Sequence, residues 1–178
     1  MNHGKMPSRD MSPRDYQILL CLSCIPQKML AVHGTDNTTE FVLHELCSNF
    51  CFNFPKAAYF IDNPDFNCCK GIAGCCSTER YAEHPHWNSP EPFSKHMQQA
   101  QFNQKVRQIH GGHIGKEVEK MAHEFARQLG IHNPGYHVWE LKNGNKGLLV
   151  YEHEPANYNE VKGHLDAGLC LLGFCPVF

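Results

Sequence analysis

"YHVWELKNGNKGLLVYEHE", Tyr136 to Glu154, decides the fold class. Two runs rich in aromatic and branched residues flank Asn143-Gly144, a pair suited to the positive φ angles of a type I′ turn, so the stretch predicts a β-hairpin over about 136–153. A two-residue turn puts Tyr136, Val138, Leu149 and Tyr151 on one face and Trp139, Leu141, Leu148 and Val150 on the other. Both faces are apolar, and both require cover.

Helical patterns on either side supply it. "IGKEVEKMAHEFARQLG" carries Val118, Met121, Ala122, Phe125 and Leu129 on one stripe, with Gly130 as its stop and Pro134 just beyond. After the hairpin, Asn157 and Glu160 are spaced as a capping box ahead of Val161, Leu165, Leu169 and Leu172. Near the other end, Ser12, Pro13 and Asp15 open a helix predicted from about Pro13 to Leu22, with Pro26 beyond its end. Asn37 and Glu40 open a second, amphipathic one through Leu43, Leu46, Cys47, Phe50 and Cys51. From Phe93 to Ile109 a further helix is expected, but Phe93, Met97 and Ala100 fall opposite Phe102, Val106 and Ile109, so it is buried on two sides or broken near its middle. "KAAYFIDNPDF" predicts a strand at about Ala57–Ile61, ended by Asp62-Asn63-Pro64. About five helices packed on a small, mainly antiparallel sheet make an α+β fold. The chain reads as a single domain, 1–178, with residues 1–11 as a flexible N-terminal segment.

Composition narrows the function. Sixteen Lys and Arg against eighteen Asp and Glu leave a net charge of -2, without a like-charge run, so the electrostatic footprint of a nucleic-acid binder is missing. A helix-turn-helix formed by the first two helices would present a second helix without Arg or Lys to meet phosphate. No apolar run reaches the length of a membrane span, and the first residues are too polar for a signal peptide. The expected location is therefore the cytoplasm. In that reducing compartment ten cysteines and thirteen histidines point to metal ligands, redox groups or buried thiols ahead of a disulfide framework.

The thiols fall into three groups. "CCKGIAGCC" places Cys68, Cys69, Cys75 and Cys76 around Gly71 and Gly74, with His84 and His86 close behind. No apolar period explains all four, and the segment reads as a close-wrapping loop or a short helix after the first strand. Cys21-x2-Cys24 and Cys47-x3-Cys51 converge if the first two helices pack as a hairpin, although Cys47 and Cys51 also suit an apolar stripe as small hydrophobes. Cys170 and Cys175 read as buried thiols. Four thiolate or imidazole ligands are what tetrahedral zinc or an iron–sulfur cluster requires. His110, His113 and Glu117 form a lesser ligand set, and no H-E-x-x-H or phosphate-binding glycine motif is present.

Three functions follow as expectations. The first is a cysteine- and histidine-rich metal-binding protein holding zinc or an iron–sulfur cluster on Cys68, Cys69, Cys75 and Cys76, helped by Cys21, Cys24, Cys47, Cys51 or by His84 and His86. The second is a thiol-dependent enzyme in which a histidine activates a nucleophilic or redox cysteine. The third is an interaction module, with a second copy of the chain covering one apolar sheet face.

Overall fold

The first strand, β1 (Lys56–Asn63), begins one residue earlier than its apolar run and ends two later; a turn then leads into β2, Cys68–Cys76. In the computed structural model, which describes residues 11–82, 85–115, 117–154 and 158–176, "CCKGIAGCC" is thus neither loop nor helix. Only Ile72 in it is β-branched, so its extended state comes from antiparallel pairing with β1, Lys56 opposite Cys76 and Asn63 opposite Cys68, not from propensity. The register shifts between Tyr59 and Phe60, which face Ala73 and Gly71, leaving Ile72 as an extra residue. That bulge changes the alternation of faces, so Cys69 and Cys76 join one core while Cys75 joins the other.

The remaining strands are β3 (His110–Gly111), β4 (Pro134–Glu140) and β5 (Lys146–Glu152), in the order β3-β2-β1-β5-β4, all neighbours antiparallel. The predicted hairpin forms with a different register. Its connection is a three-residue turn, Lys142–Gly144, in which Asn143 and Gly144 have φ of 60° and 72° and Leu141 N–H donates to the Asn145 carbonyl at 2.8 Å. Trp139 therefore lies opposite Gly147 and Val138 opposite Leu148. One face carries Trp139 with Leu149 and Tyr151, the other Val138 with Leu148 and Val150. A one-residue slip moves a whole strand's side chains across the sheet, and the bare Gly147, where any Cβ would overlap the Trp139 indole, accommodates this one.

Helices cover both faces. On one side lie α1 (Pro13–Ala31), α2 (Thr38–Leu46), α3 (Pro90–Gln99), α6 (Tyr158–Lys162) and α7 (Leu165–Gly173); on the other, α4 (Gln101–Gln108) and α5 (Val118–Leu129). The helix expected over 93–109 breaks at Ala100, whose extended backbone lets Phe93 and Met97 enter one core and Phe102 and Val106 the other. The chain's own helices thus cover the two hairpin faces that invited a second copy. Among the described residues no helix is long and apolar enough to cross a membrane.

Ser12 caps α1 through a capping box with Asp15. That helix continues through Pro26 because the face buried by Ile18, Leu22 and Ile25 is carried on beyond it by Met29 and Val32, outweighing a proline's cost of about 3 kcal/mol. The Asn37–Glu40 box does not form. Asn37 accepts a hydrogen bond from Ser94 at 3.0 Å, and Glu40 pairs with Arg107 at 3.1 Å. α2 stops at Leu46, short of the predicted Cys51, and all nine of its residues are buried, which removes it as a DNA-reading helix. The proposed cap at Asn157 lies outside the described residues, as do residues 1–10 of the N-terminal segment; Val161, Leu165, Leu169 and Leu172 are buried as expected.

The outer edge of β2 is paired with β3 at its start and closed by α4 further along. Gly74 N–H donates to the Asn103 side-chain carbonyl at 2.8 Å, and Asn103 in turn donates to the Met97 carbonyl at 2.9 Å. A Cβ at Gly71 would overlap the Val106 carbonyl, and one at Gly74 would come within 2.7 Å of the Val106 side chain. Gly71→Ala is therefore expected to cost about 2–3 kcal/mol, read from urea unfolding, whereas Gly112→Ala, with nothing within 4 Å, should change stability by less than about 0.5 kcal/mol. Equal effects would show that α4 does not rest on the strand.

Candidate thiol centre

With every side of α2 buried, its polar residues have to be satisfied inside the protein. Glu45 is the most heavily engaged. It takes Lys28 Nζ at 2.7 Å and the Trp87 indole N–H at 2.9 Å, and the Cys21 thiol lies 3.7 Å from its Oε1. Against the cost of burial, Lys28 and Trp87 hold its carboxyl below the usual value. His86 approaches the same carboxylate at 3.8 Å and the Phe41 carbonyl at 3.2 Å, stacking on the Phe41 ring. His44, one residue before Glu45, points instead towards β2, where its Nδ1 lies 3.8 Å from the Cys75 sulfur.

Cys47 follows directly as the C-cap of α2, and Cys51 sits in the turn beyond it. The thiols of Cys47 and Cys75 influence each other's acidity, as do those of Cys51 and Cys21. The result is a file of four thiols, Cys21, Cys51, Cys47 and Cys75, that starts on half-buried α1 and ends against His44 in the interior. Arg80 clamps the turn from below, donating to the carbonyls of Cys47 and Phe54. Arg14 does so at the Cys51 end, donating to the Cys51 and Asn49 carbonyls.

Acidity alternates along the file. Cys75 is held well below the usual thiol value by the Cys47 thiol, with His44 and Arg80 adding to it against burial, while burial pushes Cys47 up. Cys21 is lowered by the Cys51 thiol, with Lys28 adding to it against burial and the neighbouring Glu45 carboxylate, and Cys51 is raised by burial. Within each pair one thiol is thus lowered and its partner raised. This is the arrangement by which a nucleophile and a resolving thiol are distinguished.

Of the cysteines singled out in the sequence, the structure brings Cys21, Cys47, Cys51 and Cys75 together, mixing two of the expected groups. It does not bring together the four thiols of "CCKGIAGCC". Cys68-Cys69 and Cys75-Cys76 sit at opposite ends of β2, about 20 Å apart at strand rise. Cys69 is buried on the opposite face and pushed up to about 12 by burial, and Cys76 contacts the Thr78 hydroxyl at 3.2 Å on that side. Cys24 and Cys170 are exposed; Cys175 is buried and pushed up to about 12 by burial. His86 serves Glu45, and His84 lies outside the described residues. His113 pairs with buried Asp62 at 2.7 Å, while Glu117 turns to Lys120, so the lesser ligand set does not assemble. Among the described residues no group of three or more His, Cys, Asp or Glu is placed to hold a metal ion. His44, Glu45 and Arg80 went unrecognised in the sequence. The one signal for His44 and Glu45 is that "TTEFVLHEL" scatters polar residues around a helix without giving it a polar face; Arg80 has none.

Comparison with protein-family models, with curated proteins and with solved structures finds no match for this chain.

Two outcomes are expected. Below pH 8 Cys21 should alkylate faster than the more exposed Cys24, and Cys51→Ala should erase that advantage; mass-resolved labelling rates decide it. Cys69 and Cys175, raised to about 12 from 9, stay protonated in the folded state after the unfolded chain has ionised. Their stabilisation is whole below pH 9 and is lost above it, by about 1 kcal/mol per pH unit per thiol. Urea unfolding at pH 8 and 10 should show a smaller loss for Cys69→Ala.

Proposed function

We propose that the protein is a thiol–disulfide redox protein, the thiol-dependent alternative among the sequence expectations, working through Cys21, Cys51, Cys47 and Cys75. The observation that carries this reading is the 3.8 Å approach of the Cys75 sulfur to His44 Nδ1 at the closed end of a file whose other end, Cys21, is half-buried.

The chemistry begins at Cys21. Its thiolate attacks one sulfur of a small disulfide such as oxidised glutathione, forming a mixed disulfide and expelling one thiolate. Cys51 then gives up its proton, attacks the Cys21 sulfur and expels the second thiolate. Two electrons leave the dithiol and reduce one external disulfide to two thiols. Exchange then moves the bond inward without further redox change: Cys47 attacks Cys51 and releases Cys21, and Cys75 attacks Cys47 and releases Cys51. Cys75 is the best nucleophile of the inner pair because His44 and Arg80 favour its thiolate. The cytoplasm, whose glutathione pool cycles accessible dithiols, suits this chemistry.

Zinc or an iron–sulfur cluster is the competing occupant, and it would draw on Cys47, Cys75 and His44. The dithiol reading is preferred because no set of three or more His, Cys, Asp or Glu ligands is placed to hold a metal among the described residues.

The test is a glutathione redox titration followed by peptide mapping without reduction. Cys21–Cys51 and Cys47–Cys75 disulfides are expected, and Cys21→Ser should slow formation of the inner bond at least tenfold. Ten thiols that stay reduced at every glutathione ratio, or one equivalent of zinc released only when Cys47 and Cys75 are alkylated, would overturn the proposal.

A further inference from the structure

Away from the thiols, two cavities adjoin where the end of α1, the start of α2 and the end of α7 meet. The larger, about 550 Å³, is walled by Pro26, Met29 and Leu30 of α1 and by Leu171 and Phe174. The smaller, about 310 Å³, is polar, and its charged side chains are Asp36, Glu40, Lys70 and Arg107. Asp36 and Pro176 line both. Each volume falls in the range of small-molecule sites, which pair apolar walls with a few fixed polar groups.

The charges in the polar chamber differ in status. Glu40 is 4% exposed and pairs with Arg107 at 3.1 Å, so it is neutralised within the protein. Lys70 and Asp36 are exposed and make no ion pair or side-chain hydrogen bond among the described residues. One free cation and one free anion therefore face the same small space beside an ion pair whose carboxylate is buried and whose guanidinium is half-exposed. A purely anionic ligand would meet Asp36 and Glu40, and a purely cationic one Lys70 and Arg107. The complement is a molecule bearing both charges. Next to it the apolar chamber offers room for a bulky hydrocarbon group, whose burial would contribute most of the affinity.

We propose that the paired cavities bind a small zwitterion with a large apolar body, of the apolar amino-acid or dipeptide class, its carboxylate towards Lys70 and Arg107, its ammonium towards Asp36, and its side chains between α1 and Phe174. This site is independent of the thiol chemistry.

Calorimetric titration tests it with phenylalanine and with leucyl-phenylalanine, each compared with its N-acetyl and C-amide derivatives. Saturable binding of at least one zwitterion is expected, weakened about tenfold or more by blocking either end, which separates charge recognition from simple apolar partition. Lys70→Ala and Asp36→Ala should each lower the affinity about tenfold while leaving the ligand-free unfolding midpoint unchanged, since both side chains are exposed. Binding by the dipeptide alone would identify the larger ligand class. Absence of saturable binding by either zwitterion, equal affinity for the blocked compounds, or full affinity in both variants would overturn the assignment.

Discussion

Burying α2 on every side constrains most of what surrounds it. A helix with no solvent face can carry Glu40, His44 and Glu45 only if each finds a partner inside. Glu45 draws Lys28 from α1 and Trp87 from the loop before α3; Glu40 draws Arg107 from α4; His44 meets Cys75 on β2. These contacts reach the neighbouring layers from one short segment. They specify where α1 and the 85–89 loop dock, much as a buried polar group can specify register in a helix pair. The thiol file is a by-product of the same placement, because Cys47 and Cys51 follow directly on α2, which packs against both α1 and β2.

Elements with a strong apolar period were legible in the sequence. The stripe of α5 and its left-handed Gly130 stop, the Ser12 capping box, the break inside 93–109 and the existence of the 136–153 hairpin all reflect local chemistry that needs no tertiary context. β2 was illegible because its residues are poor strand formers by themselves. It is extended because β1 pairs with it, and its two glycines answer to α4, which lies well over twenty residues further along the chain. The hairpin register was missed for a related reason. Asn143-Gly144 fits a two-residue turn and also a three-residue one, and the choice between them is made by packing Trp139 on Gly147.

The candidate site shows the same division. Cys21, Cys47, Cys51 and Cys75 were all visible as thiols, but their order in space depends on which face of β2 carries Cys75, and that depends on the bulge at Ile72. Without the extra residue, simple alternation would not bring Cys75 to α2 and Cys69 and Cys76 together to the opposite core. His44, Glu45 and Arg80 carry no motif. They become recognisable only once α2 is known to be buried, since a polar residue on an exposed helix says nothing of chemistry.

The closure of β2's outer edge by Asn103 bears on how the chain survives synthesis. Until α4 arrives, the half of β2 beyond its pairing with β3 presents a low-charge run of glycine, alanine and cysteine with open backbone groups, a template on which a second chain can add itself by strand pairing. Asn103 occupies the Gly74 amide, and α4 lies so close on Gly71 and Gly74 that no foreign strand can slide between. The same two glycines that hide the segment from sequence reading thus act as a guard against aggregation. Any change that lifts α4 by a methyl group would expose a sticky edge as well as loosen a core.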